Sequence, residues 1–126
     1  MTKPNLILVV EDSEDCASTL EIALDALPGV EVRFLRTAED ALRTVRGMPI
    51  AAIITDIQLP GMDGLEFVAH LRGDGNHSDV PILVISGAAE RDAPARALAA
   101  GATAFFSKPF SPLAVRQKLE ALIDAH

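Results

Sequence analysis

The order of hydrophobic and polar residues along the chain predicts an alternation of strands and helices. Five short apolar runs have the length and composition of strands, and segments with helical spacing separate them. The first, third and fourth runs are apolar on both faces, as expected for central parallel strands that helices cover on each side. The second run alternates apolar and polar residues, which is typical of an edge strand. In chain order the runs are residues 6–10, 30–35, 51–55, 80–85 and 103–106.

Capping residues mark the start of most of the helical segments. Ser13, Thr37 and Asp63 have side-chain oxygens that can accept a hydrogen bond from the first turn of a helix. Asp63 is followed three residues later by Glu66, a spacing that resembles a capping box. Ser111–Pro112 starts the last helix, since proline is favoured at the first helical position.

The fourth helical segment is the least well defined. It is rich in alanine with few large apolar residues, and Pro94 prevents an unbroken helix from Ala89. We therefore predict that this helix begins near Asp92 and ends at Gly101. A helix that buries so little apolar area is a candidate for a mobile element.

Alternating strands and helices predict a single α/β domain over residues 1–126. A length of 126 residues is typical of one domain. Right-handed connections between parallel strands place helices on both faces of an open sheet. In such sheets the ligand site lies beyond the carboxyl ends of the strands, where the strand order reverses.

Composition excludes several classes of function. Eighteen acidic residues against eleven basic ones give a net charge of −7, which disfavours a primary role on nucleic acid or on an anionic membrane. The same negative charge favours the binding of a divalent cation. The single Cys16 cannot form an internal disulfide, and no segment is typical of a signal peptide or of a membrane span. These features predict a cytoplasmic protein.

Polar residues follow four of the predicted strands at their carboxyl ends. They are Glu11–Asp12, Asp56, Ser86 and Lys108–Pro109. Two carboxylates about 4 Å apart repel each other by roughly 4 kcal/mol at an effective dielectric constant of about 20, so a proton or a metal ion must relieve the repulsion. Carboxylate oxygens and water are ligands that suit Mg²⁺. Lys108 beside such a site is suited to bind phosphoryl oxygens, Asp56 to act as the nucleophile, and Ser86 to donate a hydrogen bond.

Five short motifs lie at these strand ends and in the adjoining loops. They are LILVVED at 6–12, ITDIQLPGMDG at 54–64, SGA at 86–88, AGA at 100–102 and KPF at 108–110. In this order they resemble the response-regulator receiver domains of two-component signalling, from one end of the chain to the other. The resemblance implies a flavodoxin-like fold: a doubly wound, five-stranded parallel sheet in the order 2-1-3-4-5, with five helices on both faces. It is greatest to stand-alone receivers, whose output is a protein contact.

The resemblance assigns a role to each polar residue of the site. It implies that Asp56 is the phosphoacceptor, and that Glu11 and Asp12 hold Mg²⁺ directly or through water, together with the backbone carbonyl of Gln58. Lys108 would pair with the phosphoryl group. The Lys108–Pro109 peptide bond would be cis.

Several positions depart from the commonest residue of that family. Ser86 stands where threonine is commoner, and it keeps the hydroxyl. Phe105 occupies the switch position, where many members have tyrosine, so ring rotation stays possible without a hydroxyl contact. Gln58 and Ala88 flank the reactive centre at variable positions that influence the lifetime of the phosphoryl group.

The resemblance implies a signalling module rather than an enzyme. Such a module takes a phosphoryl group from a histidine kinase or a histidine phosphotransfer protein and slowly hydrolyses its own aspartyl-phosphate. Phosphorylation changes its affinity for a downstream protein target. It would use Mg²⁺ as cofactor, bind neither nucleic acid nor membrane, and exist as a monomer or weak dimer.

Two other functions stay open at this point. An aspartate-nucleophile phosphatase would need a second acid–base carboxylate beside Asp56, but the second residue after it is Gln58. A degenerate receiver would bind partners without phosphorylation, and the complete set of acidic, hydroxyl and lysine residues argues against it.

Other reactive or aromatic side chains are expected to have ordinary structural roles. Cys16 is expected to be a small helical residue and Phe106 a core residue. The three histidines, His70, His77 and His126, are expected at the surface, since none has metal-ligand spacing to another.

Overall fold

Strands and helices alternate along the chain as the hydrophobic pattern predicts. The computed structural model describes residues 4–87 and 91–125. The strands in this part of the chain are β1 (Leu6–Val10), β2 (Glu31–Leu35), β3 (Ala52–Asp56), β4 (Ile82–Ser86) and β5 (Ala104–Ser107). The helices are α1 (Glu14–Asp25), α2 (Ala38–Val45), α3 (Gly64–Gly73), α4 (Ala93–Ala100) and α5 (Pro112–Ala125).

The five strands form one parallel sheet in the order β2-β1-β3-β4-β5. This is the flavodoxin-like order predicted from the motifs. The strand order reverses between β1 and β3, where Val10 is the register partner of Thr55. The next residues, Glu11 just after β1 and Asp56 at the end of β3, therefore lie side by side at the position where ligand sites form in such folds.

Helices cover both faces of the sheet, and each face has its own apolar core. Every residue of β1, β3 and β4 is buried, which confirms the interpretation of these runs as central strands. Because successive strand residues point to opposite faces, Leu8 and Ile53 pack under α2, α3 and α4, whereas Val9 and Ile54 pack under α1 and α5. At the sheet edge, Phe34 of β2 is 36% exposed.

Side-chain caps hold the predicted starts of four helices. Ser13 Oγ accepts a hydrogen bond from the backbone of Cys16, and Thr37 Oγ1 accepts one from Asp40. Asp63 Oδ1 accepts a bond of 2.9 Å from the backbone N–H of Glu66. Ser111 Oγ accepts a hydrogen bond from the backbone N–H of Ala114. Each cap satisfies a backbone donor that has no partner within the first turn of its helix.

The amino end of α4 lacks such a cap. The preceding residue, Asp92, has a left-handed φ of 53°, and its side chain makes no capping hydrogen bond within the described chain. Of the α4 residues, only Ala93 and Ala97 are buried. Gly101 ends the helix with a φ of 114°, a conformation that glycine adopts without steric cost. These bounds agree with the prediction that the helix begins near Asp92 and ends at Gly101.

Arg72 holds the carboxyl end of α4 in place. Its Nε donates to the carbonyl of Gly101 at 2.8 Å, and Nη1 donates to the carbonyl of Val80 at 2.7 Å. Nη2 donates to Thr103 Oγ1 at 3.3 Å. Burial lowers the pKa of the Arg72 guanidinium from its usual value. Arg72 therefore ties the carboxyl end of α4, which leads into β5, to α3 and to Val80 ahead of β4.

The prediction that all three histidines lie at the surface is wrong for His77. Its side chain is 5% exposed, with Nδ1 2.9 Å from Asp74 Oδ2 and Nε2 3.4 Å from the carbonyl of Met48. The loop between α3 and β4 turns inward here, because polar partners on two loops satisfy both ring nitrogens. His70 is exposed as expected, and His126 lies outside the described residues.

None of the helices in the described part of the chain combines the length and the apolar character needed to cross a bilayer.

Candidate functional site

Three carboxylates meet at the carboxyl ends of β1 and β3. One oxygen from each of Glu11, Asp12 and Asp56 lies within 4.8 Å of the others. Glu11 and Asp56 are 6% exposed, whereas Asp12 is open to solvent. The backbone N–H of Glu11 donates to the carbonyl of Leu35 at 2.9 Å, which continues the β1–β2 pairing and fixes the acidic segment as it leaves the sheet.

Lys108 reaches this cluster from the loop after β5. Its Nζ lies 2.6 Å from Asp56 Oδ2 and 3.4 Å from Glu11 Oε1. The backbone N–H of Lys108 donates to the carbonyl of Ser86 at 2.8 Å, and the Lys108–Pro109 peptide bond is cis. The loop thus places a single ammonium group against two buried carboxylates.

Burial and the excess of negative charge at the site shift the pKa values of Glu11 and Lys108. Burial and the neighbouring charge of Asp56 raise the pKa of Glu11 to about 7, although Lys108 opposes the shift. Burial alone would lower the pKa of Lys108, but the hydrogen bond and the charge of Asp56 raise it above its usual value. One lysine therefore does not neutralise the three carboxylates, and the site favours a bound cation or a proton.

Hard oxygen donors make up this cluster, and they fit Mg²⁺. Glu11 and Asp12 supply carboxylates at adjacent positions. Gln58 also borders the cavity, and its backbone N–H donates to Asp56 Oδ1 at 3.2 Å, which orients the central carboxylate. These residues are able to hold the metal that the sequence predicts.

Ser86 is buried at the end of β4. Its side chain is 0% exposed, and Oγ has no hydrogen-bond partner in the described part of the chain. It follows Ile85, the register partner of Asp56. Buried hydroxyl groups almost always have a partner. A hydroxyl group without a partner among the described residues, one position beyond Ile85, fits a site that binds an external anionic group.

The loop between β3 and α3 is held close to Asp56 by two contacts. Gly64 donates its backbone N–H to the carbonyl of Ile57 at 2.8 Å. Glu39 of α2 accepts a bond of 3.0 Å from the backbone of Met62 through Oε2. Glu39 is a residue that the sequence analysis missed, because nothing local relates it to a loop 23 residues away.

The two phenylalanines of β5 face opposite sides of the sheet. Phe105 is half-buried against the core under α2, α3 and α4, and its register partner is Val84. Phe106 is half-buried against the core under α1 and α5, so it contributes to the core without being enclosed by it. Ala88, predicted to flank the reactive centre, lies outside the described residues.

Cys16 lies on α1, half-buried near the acidic cluster. Burial and the charge of Glu11 raise the pKa of its thiol to about 11. The thiol therefore stays protonated at neutral pH, which agrees with an unreactive helical residue.

The site opens into a cavity of about 640 Å³. Besides the cluster, it is bordered by residues 57–60 of the β3–α3 loop and by Asp63 at the start of α3. Two cations line it among the described residues, Lys108 and Arg96 of α4. Arg96 was not predicted from the sequence to lie at the site. The available signal was a basic residue near the start of a helix whose first turn has no acidic residue.

Comparisons with known proteins agree with this geometry. The family model described as the response regulator receiver domain matches residues 7–120. The transcriptional regulatory protein QseB of Haemophilus influenzae is 32% identical over 117 residues, which are 93% of this chain and 52% of that protein. The chain spans about half or less of the length of the curated relatives that it matches.

Solved structures share the same architecture. The receiver domain of the sensor histidine kinase PA1611 from Pseudomonas aeruginosa has a magnesium ion coordinated in its active-site cleft. It matches with a TM-score of 0.85 and 27% identity, over 96% of this chain and 98% of that one. The chemotaxis response regulator CheY4 of Vibrio cholerae matches with a TM-score of 0.83 and 27% identity, over 96% and 99% of the two chains. The sheet order, the strand-end carboxylates and the matched family model together establish that this chain belongs to the response regulator receiver domain family.

Proposed function

We propose that Asp56 accepts a phosphoryl group from a histidine kinase or a histidine phosphotransfer protein in a Mg²⁺-dependent reaction. One observation carries the proposal: Lys108 Nζ lies 2.6 Å from Asp56 Oδ2, inside a cluster of three carboxylates. A carboxylate nucleophile, a paired ammonium group and two further acidic ligands are the groups that phosphoryl transfer to aspartate requires.

Each side chain has a separate task in the transfer. An Asp56 carboxylate oxygen attacks the phosphorus atom, and the bond from phosphorus to the donor nitrogen breaks. Lys108 pairs with the phosphoryl oxygens, and the Ser86 hydroxyl donates a hydrogen bond to one of them. Glu11, Asp12 and the backbone carbonyl of Gln58 would hold Mg²⁺, which when bound neutralises charge on the phosphoryl oxygens.

The consequence of phosphorylation is a change of surface. Movement of Ser86 toward the phosphoryl group would open space behind β4, and the half-buried ring of Phe105 could rotate into it. β5 and the weakly capped α4 would then present a different face to a partner. Phosphorylation shifts this two-state equilibrium only by its differential affinity for the two states.

The chain acts in this proposal as a signalling module, not as an enzyme with an external substrate. Its partners are the phosphoryl donor and a downstream protein target, and it functions as a monomer or weak dimer without binding nucleic acid. It hydrolyses only its own aspartyl-phosphate, and slowly. The position of Gln58 two residues after Asp56 supports this, because it lacks the carboxylate that an acid–base phosphatase would need there.

Labelling with acetyl phosphate tests the proposal. With Mg²⁺ the protein should gain one base-labile phosphoryl group, measured as a mass increase of the intact chain. Asp56→Asn and added EDTA should each abolish the gain. Equal labelling of Asp56→Asn would overturn the assignment. Sustained turnover of p-nitrophenyl phosphate would favour the phosphatase alternative instead.

A further inference from the structure

Glu39 of α2 contacts the backbone of the β3–α3 loop from a different element of the fold. Its Oε2 accepts a hydrogen bond of 3.0 Å from the backbone N–H of Met62. The neighbouring residue, Gly61, has a φ of 75°, and a Cβ atom there would collide with the Glu39 carboxylate. The absence of a side chain at position 61 therefore allows the carboxylate to lie directly against the Gly61–Met62 peptide.

The Glu39 carboxylate is half-buried, and the contact with Met62 is charge-assisted. Its second oxygen, Oε1, is enclosed and has no hydrogen-bond partner among the described residues. The hydrogen bond from Met62 lowers the pKa of Glu39, so the carboxylate is ionised at neutral pH and acts only as an acceptor. A charged acceptor forms a stronger hydrogen bond than a neutral one. Met62 therefore gives this carboxylate its bond to the loop, at a place that water does not reach easily.

The favourable position of Glu39 in the first turn of α2 does not account for this contact. Glu39 and Asp40 both lie in that turn, where acidic residues stabilise a helix. The Asp40 side chain pairs with Arg43 of the same helix, whereas Glu39 bonds to a loop 23 residues away. Two adjacent carboxylates thus have the same charge and the same place in the helix, but different partners.

The loop that Glu39 contacts borders the candidate metal site. Residues 57–60 and Asp63 line the cavity, on either side of the Gly61–Met62 peptide. Gln58 belongs to this segment, and its backbone N–H donates to Asp56 Oδ1 at 3.2 Å. The α2 carboxylate does not line the cavity. It therefore affects the position of the groups at the site through the loop, without touching them.

We propose that Glu39 is a positioning residue for the Mg²⁺ site: by holding the Gly61–Met62 peptide, it keeps the β3–α3 loop in the conformation in which Gln58 contributes to metal binding. The inference rests on the proposed function and deepens it. Mg²⁺ requires a nearly ideal ligand geometry, so a loop that supplies a ligand binds best when it is already held in place. Removing a group that orients a metal ligand from outside usually weakens metal binding.

Isothermal titration calorimetry of the whole chain with Mg²⁺ tests this inference. Glu39→Ala should raise the Kd for Mg²⁺ by about three- to tenfold, the effect expected when one charge-assisted hydrogen bond that acts through a loop is lost. Hydrogen exchange of the metal-free protein gives an independent readout, because the Met62 amide should lose protection in this variant. The Ala41 amide, which bonds to Thr37 at the start of α2, should keep its protection.

Three further variants separate the hydrogen bond from the charge. Glu39→Gln keeps an acceptor oxygen at the same reach without the charge, and it should restore most of the affinity. Glu39→Asp keeps the charge on a side chain one methylene shorter, so it should behave like Glu39→Ala. Asp40→Asn removes a charge from the same turn of α2 and should keep the wild-type Kd.

Several results would overturn the inference. A wild-type Kd for Glu39→Ala would do so, as would a raised Kd with unchanged exchange at Met62. An equal loss in Asp40→Asn, or a Glu39→Gln variant that binds Mg²⁺ no better than Glu39→Asp, would make charge the cause and not the contact with the loop. Wild-type protein that bound no Mg²⁺ would instead overturn the proposed function, so the two failures are distinguishable.

Discussion

Gly64, the first residue of α3, packs directly against the carbonyl group of Asp56. A Cβ atom at position 64 would lie well inside van der Waals contact with that carbonyl oxygen. Because the obstacle is backbone and not a flexible side chain, the structure has no inexpensive way to accommodate it. The glycine therefore allows α3 to begin immediately beside Asp56.

Gly64→Ala should destabilise the protein by about 1–3 kcal/mol, the usual range for overpacking a close contact. Urea unfolding measures the effect. Gly73→Ala, at the other end of the same helix, is the matched control, because nothing lies within 4 Å of a Cβ atom there. It should be neutral or stabilise by up to about 1 kcal/mol. Similar losses in both variants would contradict the backbone contact as the cause.

Without metal, the contribution of Glu11 to stability should decrease as pH rises. Its pKa is about 7 in the folded state against 4.5 for the ordinary group. Between these values the native state binds a proton that the unfolded state does not, so the free energy of unfolding falls across this window. The measurement is thermal unfolding of wild type and Glu11→Gln in EDTA, at about pH 5 and about pH 8. The Tm of wild type relative to that of Glu11→Gln should be lower at about pH 8 than at about pH 5. A Tm difference between the two proteins that is the same at both pH values would contradict the prediction.

Mg²⁺ should stabilise the wild-type protein by binding the native state alone. Asp12→Ala removes one carboxylate from the cluster, so it should raise the metal-free Tm, on the order of 3 °C, and lose most of the Mg²⁺-induced increase. Differential scanning calorimetry with and without Mg²⁺ measures both effects. Asp15→Ala, outside the acidic cluster on α1, should keep the full increase. An undiminished Mg²⁺ effect in Asp12→Ala would mean that the metal binds elsewhere.

Ser86→Ala should separate phosphorylation from switching. The variant keeps Asp56 and Lys108, so we expect it to accept a phosphoryl group, while the change at Phe105 should be much smaller. Amide spectra with beryllium fluoride and Mg²⁺ report the difference: in wild type, shifts should concentrate in β4, α4 and β5 rather than in α1 and α2. If activation moved α1 and left Phe105 unchanged in wild type, the proposed switch would be wrong.

Arg72→Ala should cost about 2–4 kcal/mol, because it leaves the partly buried carbonyl groups of Gly101 and Val80 without their charged donor. Arg72→Lys should recover little, since one ammonium group cannot span the positions that the guanidinium reaches. Arg43→Ala is the control. Its side chain is 66% exposed, so the loss should be within about 0.5 kcal/mol. Hydrogen exchange at Gly101 and Thr103 should accelerate in Arg72→Ala specifically.

Local sequence signals account for most of the fold. Apolar runs such as residues 6–10 and 82–85 encode buried strands, and cap residues such as Thr37 and Asp63 encode helix starts. Both signals depend on backbone periodicity and on hydrogen bonds within a few residues. They can therefore be recognised without knowledge of the tertiary contacts. Strand–helix alternation then limits the topology, and the strand-end positions of Asp12, Asp56 and Lys108 predict the site.

Only the tertiary structure decided the contacts between residues that are far apart in the chain. Glu39 meets Met62, Arg72 meets Gly101, and His77 is buried against Met48, although 23 to 29 residues separate the members of these pairs. The raised pKa of Glu11 likewise depends on its burial beside Asp56. The sequence by itself determined the α/β fold class, because strand and helix alternation follows from local periodicity, and it predicted which polar residues stand at the strand ends. Only the packed structure decided that Arg96 borders the same cavity, since that depends on how α4 is oriented over the sheet.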